Sequence, residues 1–339
     1  MRVNIGVIGA GRWGPHLARN FAEHPDSELA WIADTDPVRR KALAMRFPRA
    51  QVVADFGDVI GDPGIDAVAV ATPTSTHYDI VKAALQAGKH VLVEKPLTDN
   101  LATALELAET AEAQGVHLMV GHVFLFNSAV IAAKEQIDAG DLGEIRYISM
   151  ERTNLGPVRS DVNAAWDLAS HDISVANYFL ESVPLVVTAR GGDWLAPGVE
   201  DVVFTTLTYP GDVLVHIMAS WLNPLKRRFI SVVGDRRMLT VDDMNITEPL
   251  RVYDKGVDTS SIVTDTFAGF RAQVREGSVT IPSITAGEPL RNECDSFVRR
   301  LLGEDISVSD GEAGVDVVRV LEAIDRSLRQ HGVEVEVAL

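Results

Sequence analysis

The chain has 339 residues, 46% hydrophobic and 23% charged, and its 48 Asp and Glu against 31 Lys and Arg give a net charge of −17. That length suggests about two domains of roughly 100–200 residues each, with apolar material enough for sizeable cores. The negative charge argues against nucleic acid or an anionic membrane as a partner, since both would be repelled, and any anionic substrate must be met by local positive charge.

One cysteine, Cys294, leaves no internal disulfide and suits a reducing cytoplasm; it reads as a small buried helix residue. The opening residues already read as a strand and turn, so no cleavable signal peptide is expected ahead of them. No apolar run reaches the roughly 18 residues that a membrane helix needs.

The apolar run Asn4-Ile5-Gly6-Val7-Ile8 leads into Gly9-x-Gly11-x-x-Gly14, with Arg12 and Trp13 inside the turn and a helical pattern from Pro15. Gly9 allows a tight turn, Gly11 lets the backbone approach a pyrophosphate, and Gly14 lets helix and strand pack closely. A second strand, Leu29–Ala33, ends in Asp34, 20 residues beyond Gly14. A carboxylate there accepts bonds from a ribose 2′-hydroxyl and repels a 2′-phosphate, which favours NAD. Arg39 and Arg40 follow closely and leave NADP possible.

The alternation of strands and helices continues through 122. Helical character over Pro37–Phe47 precedes a short strand, Gln51–Val53, and a brief helix, Asp55–Gly61. Strand Ala67–Ala71 ends in Thr72-Pro73, and a helix runs from about His77 to Ala87. Strand His90–Val93 ends in Glu94-Lys95-Pro96; helix Asn100–Gln114 and strand Val116–Val120 complete the set. This predicts an α/β Rossmann domain, a doubly wound parallel sheet, over residues 1–122.

From 123 onward the pattern changes. Helices Ser128–Ala139 and Trp166–Leu180 flank strand Arg146–Arg152, and a succession of strands follows: Leu185–Gly191, Val202–Tyr209, Val213–Leu222, Arg228–Gly234, Met238–Val241 and Leu250–Tyr253. Residues 255–284 are poorly patterned. Amphipathic helices Pro289–Leu302 and Ala313–Gln330 close the chain and are expected to pack back on the body. Residues 123–339 therefore read as an α+β domain with a large, mostly antiparallel open sheet. An open sheet needs its exposed face covered, which predicts a homo-oligomer.

Ligands of doubly wound sheets bind at the carboxyl ends of the strands. Thr72, Pro73, His77, Glu94 and Lys95 fall there and join the glycine turn as candidate cofactor contacts. Lys95, after an apolar strand and before a proline, suits stabilisation of alkoxide character as a hydride leaves; an ion pair with Glu94 is its structural alternative. Asp167 and His171, four apart at the start of a helical pattern, would share a face. A histidine there can take a hydroxyl proton, and the carboxylate can orient it or the substrate. His122 and Asn127 are weaker site candidates. His16, His24, His90, His117 and His216 read as structural or surface residues, and no metal-ligand spacing occurs.

The ordered set of glycine turn, Ala71-Thr72-Pro73 with His77, Glu94-Lys95-Pro96, Gly121-His122 with Asn127, and Asp167-x-x-x-His171 resembles the glucose–fructose oxidoreductase/inositol dehydrogenase/rhizopine catabolism family. The resemblance spans essentially the whole chain and implies Lys95, Asp167 and His171 as a catalytic trio. Ala169 departs from the glycine often found there. Gly11-Arg12-Trp13-Gly14 and the stretch from Trp166 to Ile173 resemble the branch acting on nucleotide-linked sugars at C3. Such a substrate needs positive charge, for which Arg152, Arg159 and the run Lys226-Arg227-Arg228 are candidates, with Trp166 also at the substrate; a solvated strand flank is the alternative for the run. The resulting expectation is an NAD-dependent sugar dehydrogenase. Its rivals are an inositol or free-sugar dehydrogenase and a non-catalytic dinucleotide sensor.

Overall fold

The structure, a computed structural model, describes residues 2–258, 273–304 and 308–337. Part of the poorly patterned segment, 259–272, lies outside the described residues. The chain divides into two compact units: Met1–Asn127 with Gly287–Glu322, and Ser128–Ala286 with Ala323–Leu339.

The first unit holds six parallel strands: β1 (Val3–Ile8), β2 (Ser27–Ala33), β3 (Gln51–Val53), β4 (Ala67–Val70), β5 (His90–Glu94) and β6 (Leu118–Gly121). They run in the order β3-β2-β1-β4-β5-β6. β4 is buried at every position, as its unbroken apolar run requires of a strand covered on both faces. The helices are α1 (Gly14–Glu23), α2 (Pro37–Arg46), α3 (Phe56–Ile60), α4 (His77–Gln86) and α5 (Leu101–Gln114). Side chains start several of them. Asp36 caps α2 by accepting from the Val38 N–H at 2.7 Å, and Asn100 caps α5 by accepting from the Thr103 N–H at 3.0 Å. Gly115 ends α5 in the left-handed region, at φ 65°.

The second unit begins with α6 (Ser128–Asp138). A wide turn over Ala165–Ala169 leads into α7 (Ser170–Leu180). Its strands are β7 (Ile145–Leu155), β8 (Val186–Gly192), β9 (Val202–Tyr209), β10 (Val213–Ser220), β11 (Leu222–Gly234), β12 (Met238–Asp242) and β13 (Leu250–Tyr253). A ribbon of β14 (Gly256–Asp258) and β15 (Gln273–Arg275) precedes β16 (Val279–Thr280), and β17 (Val335–Glu336) lies near the chain end. Nine strands form one mixed sheet in the order β16-β13-β12-β11-β7-β10-β9-β8-β17. Every pairing in it is antiparallel except β7 with β10. Ile148, Met150, Val215, Ile217 and Val232 point into the core, and the alternate positions face outward. On that outer face Tyr147 stands opposite Leu214, and Phe204 opposite Met218; Tyr147, Leu214 and Phe204 are 47%, 47% and 45% exposed.

The closing helices are α8 (Pro289–Leu301) and α9 (Gly311–Arg329). Grouped on sequence with the second domain, α8 and the first part of α9 instead belong to the first unit. The reason is packing: Phe297 meets Phe21 of α1 at a ring separation of 6.3 Å, and Arg19 pairs with Glu288. The segment before α9 also covers the free edge of β6. Val120 donates to the Ser309 carbonyl at 2.8 Å, and the Ser309 hydroxyl returns a bond to the Val120 carbonyl at 2.6 Å.

Candidate functional site

The glycine turn is built as its spacing requires. Gly9 has φ +88°, and a Cβ there would lie 2.7 Å from Thr72 Cγ2. A Cβ at Gly14 would lie 1.9 Å from the Gly9 carbonyl oxygen, so helix and strand close only without one. At Gly11 the side-chain direction is open, with Arg39 Nη1 the nearest atom at 4.0 Å. Arg12 and Trp13 are exposed beside it. This cradle fits a dinucleotide pyrophosphate at the start of α1. Asp34 is buried, accepting from the Ala10 N–H at 2.7 Å and the Asp36 N–H at 2.8 Å. Arg39 lies 3.6 Å from it. Arg40 spends its guanidinium on the Asp34 and Thr35 carbonyls, both at 2.8 Å.

Lys95 leaves the carboxyl end of β5, on the same edge of the sheet as the turns after β1 and β4. His77, expected at the cofactor, is 1% exposed and uses both ring nitrogens within the scaffold. They lie 3.0 Å from the Pro96 carbonyl and 2.9 Å from that of Thr72, so the ring braces the Lys95-Pro96 turn against the loop after β4. Burial pushes its pKa down against the pull of those carbonyls. Glu94 is likewise buried, and a Cβ at Gly121 would meet its carboxyl carbon at 3.4 Å. Burial pushes Glu94 up to about 8, against the opposing charge of Lys95. His122 is 1% exposed and neither ring nitrogen has a hydrogen-bond partner among the described residues. Burial first, then the charge of Lys95, drives it down to about 3, which favours the neutral ring. Asn127 follows, its N–H on the Phe124 carbonyl at 3.1 Å.

A further acid sits in the same unit. Glu293 of α8 is 0% exposed, and neither carboxyl oxygen has a hydrogen-bond partner among the described residues. Burial, then the nearby Glu94, pushes it well above its ordinary value, which favours the protonated form. A folded-state pKa raised above the unfolded value stabilises below the unfolded pKa of about 4.3, and that contribution is lost as pH rises through the folded pKa. Glu293→Gln removes the penalty. Its melting temperature is expected to exceed that of the wild type by a margin that widens from about pH 5 toward pH 8. Calorimetry across that range checks it; a margin that does not grow with pH contradicts a protonated Glu293.

In the second unit, Asp167 lies in the wide turn, where the Ser170 N–H reaches back five residues to the Ala165 carbonyl. Such turns are rare and recur at functional sites. Trp221 Nε1 donates to Asp167 Oδ2 at 3.0 Å, and Arg159 Nη1 approaches Oδ1 at 3.4 Å. Arg159 also binds Asp161 through two bonds, of 3.0 and 2.5 Å. His171 is in the first turn of α7 and half-buried.

Two proposed substrate contacts have other surroundings. Arg152 is 4% and Asp172 2% exposed, and three bonds of 2.7–3.1 Å join them. The Arg152 charge thus has a buried partner and ties β7 to α7, which does not suit meeting a sugar diphosphate. Trp166 is 6% exposed and donates its indole N–H to Asp325 at 2.9 Å, an anchor for the wide turn. In the basic run, Arg227 pairs with Glu151 at 3.1 Å and Arg228 with Asp243 at 2.9 Å, while Lys226 is exposed. Asp172, Trp221 and Glu293 were missed as site neighbours on sequence. Asp172 carried a usable signal, a second acid directly after His171; the other two carried none.

Residues 3–122 match a family described as an oxidoreductase family with an NAD-binding Rossmann fold. Residues 130–240 match the GFO/IDH/MocA C-terminal domain. The scyllo-inositol 2-dehydrogenase (NAD(+)) of Bacillus subtilis is 33% identical over 196 residues, 56% of this chain and 57% of that protein. The chain thus spans little more than half the length of that relative. UDP-N-acetylglucosamine 3-dehydrogenase GnnA from Acidithiobacillus ferrooxidans is a structural match at a TM-score of 0.84 and 25% identity, covering 98% of this chain and 99% of that one. GenD2 from gentamicin A biosynthesis, in complex with NAD, matches at 0.82 and 25% identity over 100% and 97%. With both regions matched in order, over more than half of its length, the chain belongs to the glucose–fructose oxidoreductase/inositol dehydrogenase/rhizopine catabolism family, and its first unit is an NAD-binding domain.

Proposed function

We propose that this protein is a dehydrogenase moving a hydride between NAD and a secondary hydroxyl of a sugar, with a nucleotide-linked sugar oxidised at C3 as substrate. One observation carries the reading: Lys95 stands on a turn braced by His77, on the same sheet edge as a glycine cradle that fits NAD. Bound NAD supplies the hydride acceptor. Gly9, Gly11 and Gly14 would hold its diphosphate, and Asp34 its ribose, against the 2′-phosphate of NADP. Lys95 polarises the substrate oxygen, His171 takes the hydroxyl proton, and Asp167 orients the sugar. General base catalysis of this kind contributes about 10²–10⁴-fold.

A second reading, an inositol or free-sugar dehydrogenase, gains support from Arg152, Arg159, Arg227 and Arg228, each already beside an acid. A substrate without a diphosphate needs none of them. We assign the outward sheet face bearing Tyr147, Phe204 and Leu214 to a second copy of the chain, as homodimer or homotetramer, and the protein to the cytoplasm. The deciding assay follows NADH absorbance with NAD and a panel of UDP-sugars, inositols and hexoses. Turnover on a UDP-sugar supports the first reading, and turnover on polyols alone moves it to the second. Tight NADH binding without any turnover would leave a dinucleotide sensor.

A further inference from the structure

Asp167 depends on a residue 54 positions away in sequence. Trp221 joins β10 to β11 and is fully buried, at 0% exposure. Its backbone is held on both sides. The Trp221 N–H donates to the Asp201 carbonyl and its own carbonyl accepts from the Gly156 N–H, both at 3.0 Å. An indole can only donate, through a single N–H whose direction the ring fixes. That N–H points at Asp167 Oδ2, at 3.0 Å.

The backbone of Asp167 is set as firmly. Its N–H reaches the Asn163 carbonyl at 3.2 Å. The Asn163 side-chain oxygen accepts from the Ala165 and Trp166 N–H groups, both at 3.2 Å. The carboxylate rotor remains, and among its contacts with described residues are two donors, one on each oxygen. Arg159 is the weaker of them: its Nη1 is 3.4 Å away, its side chain is a third exposed, and its other nitrogens serve Asp161. Trp221 is short, dry and rigid. A carboxylate clamped by a buried donor keeps one rotamer, and with it the direction of its remaining lone pairs, through every turnover.

We infer that Trp221 is a positioning residue for the reaction: its indole N–H fixes the Asp167 carboxylate in the orientation that meets substrate. The inference rests on the proposed role of Asp167. It goes further in making a tryptophan that needs no contact with substrate or cofactor a determinant of rate.

The first test needs no substrate. The chain has 5 tryptophans, so its indole ¹⁵N–H spectrum is simple, and Trp221→Phe assigns the resonance of interest. That N–H should exchange slowly with solvent and should shift in Asp167→Asn while the other indoles hold still. A Trp221 indole indifferent to Asp167→Asn overturns the inference.

The second test is kinetic, with NAD and either UDP-N-acetylglucosamine or scyllo-inositol as probe. Trp221→Phe should lose about 10- to 100-fold in kcat/KM, the size of a lost hydrogen bond to a charged group. The loss should fall in kcat, with NADH affinity unchanged. In the Asp167→Asn background the same change should cost little more. Equal losses in both backgrounds, or no loss in a folded Trp221→Phe, would mean the ring serves packing alone. Should Trp221→Phe fail to fold, benzothienylalanine at 221 keeps the ring shape and drops only the N–H, and the same outcomes apply. Wild-type kcat/KM in Asp167→Asn overturns the role of Asp167 and this inference together. Loss in Asp167→Asn without loss at 221 overturns this inference alone.

Discussion

Lys95→Ala is expected to lower kcat by about 10²–10³-fold, the cost of removing one donor aimed at a developing oxyanion, while NADH binds as tightly as before. The two readouts separate because the proposed cofactor contacts lie elsewhere in the unit. The proposed diphosphate cradle is backbone, set by Gly9, Gly11 and Gly14, and Asp34 is held by the Ala10 and Asp36 N–H groups. Lys95→Arg should not restore the rate. A guanidinium is planar and longer, and an ammonium's point charge cannot be copied by a fork. Stopped-flow turnover beside a fluorescence titration with NADH checks both halves. Turnover at the wild-type level in Lys95→Ala would remove Lys95 from the chemistry, and a matching loss of NADH affinity would make it a cofactor ligand instead.

Asp172→Asn should destabilise the second unit by about 3–5 kcal/mol, because it strips a buried guanidinium of its counter-charge. At 4% exposure Arg152 cannot turn to water. Replacing both partners by apolar residues of similar volume, as in Arg152→Met with Asp172→Leu, should return most of that loss. Thermal or urea unfolding of the three proteins gives the comparison. Equal stability of Asp172→Asn and wild type would mean that Arg152 draws its compensation from elsewhere. The same change should also lower turnover, since Asp172 adjoins His171 in the first turn of α7 and the pair ties that turn to β7.

What could be read from sequence was what local spacing encodes. The three glycines and Asp34 lie within one strand–turn–helix–strand segment, so their proposed roles follow from distances along the chain, and the structure has the tight turn at Gly9 and the close packing at Gly14 that this spacing requires. Helix α5 was equally plain, with an asparagine cap and a closing glycine. The wide turn at Ala165–Ala169 was not. Trp166–Leu180 reads as one continuous helix, and the shift to a five-residue reach comes from anchors outside it, Asn163 and Asp325. The start of β11 was missed for a local reason. The strand readings stop at Leu222 and resume at Arg228, yet a register shift between Leu222 and Arg227 lets the strand run through its proline. Arg152 was misjudged because a basic residue beside a suspected anion site looks available until its partner is known, and Asp172 is 20 positions away. Trp221 depends on a pairing, and Glu293 on burial near Glu94, across still longer separations, and nothing in their own neighbourhoods announces them.

The split composition of the first unit has a consequence for how the chain is made. While residues 128–286 are being synthesised, over about ten to thirty seconds at ordinary elongation rates, the cofactor domain exists without Gly287–Glu322. Phe21 then lacks the ring of Phe297, and the Val120 edge of β6 lacks Ser309. The nascent domain leaves the ribosome with an apolar helix face and an unpaired strand edge exposed together. A shortened form ending at residue 127 would keep that vulnerability for good, whereas a permuted chain carrying 287–322 joined to residues 1–127 would not.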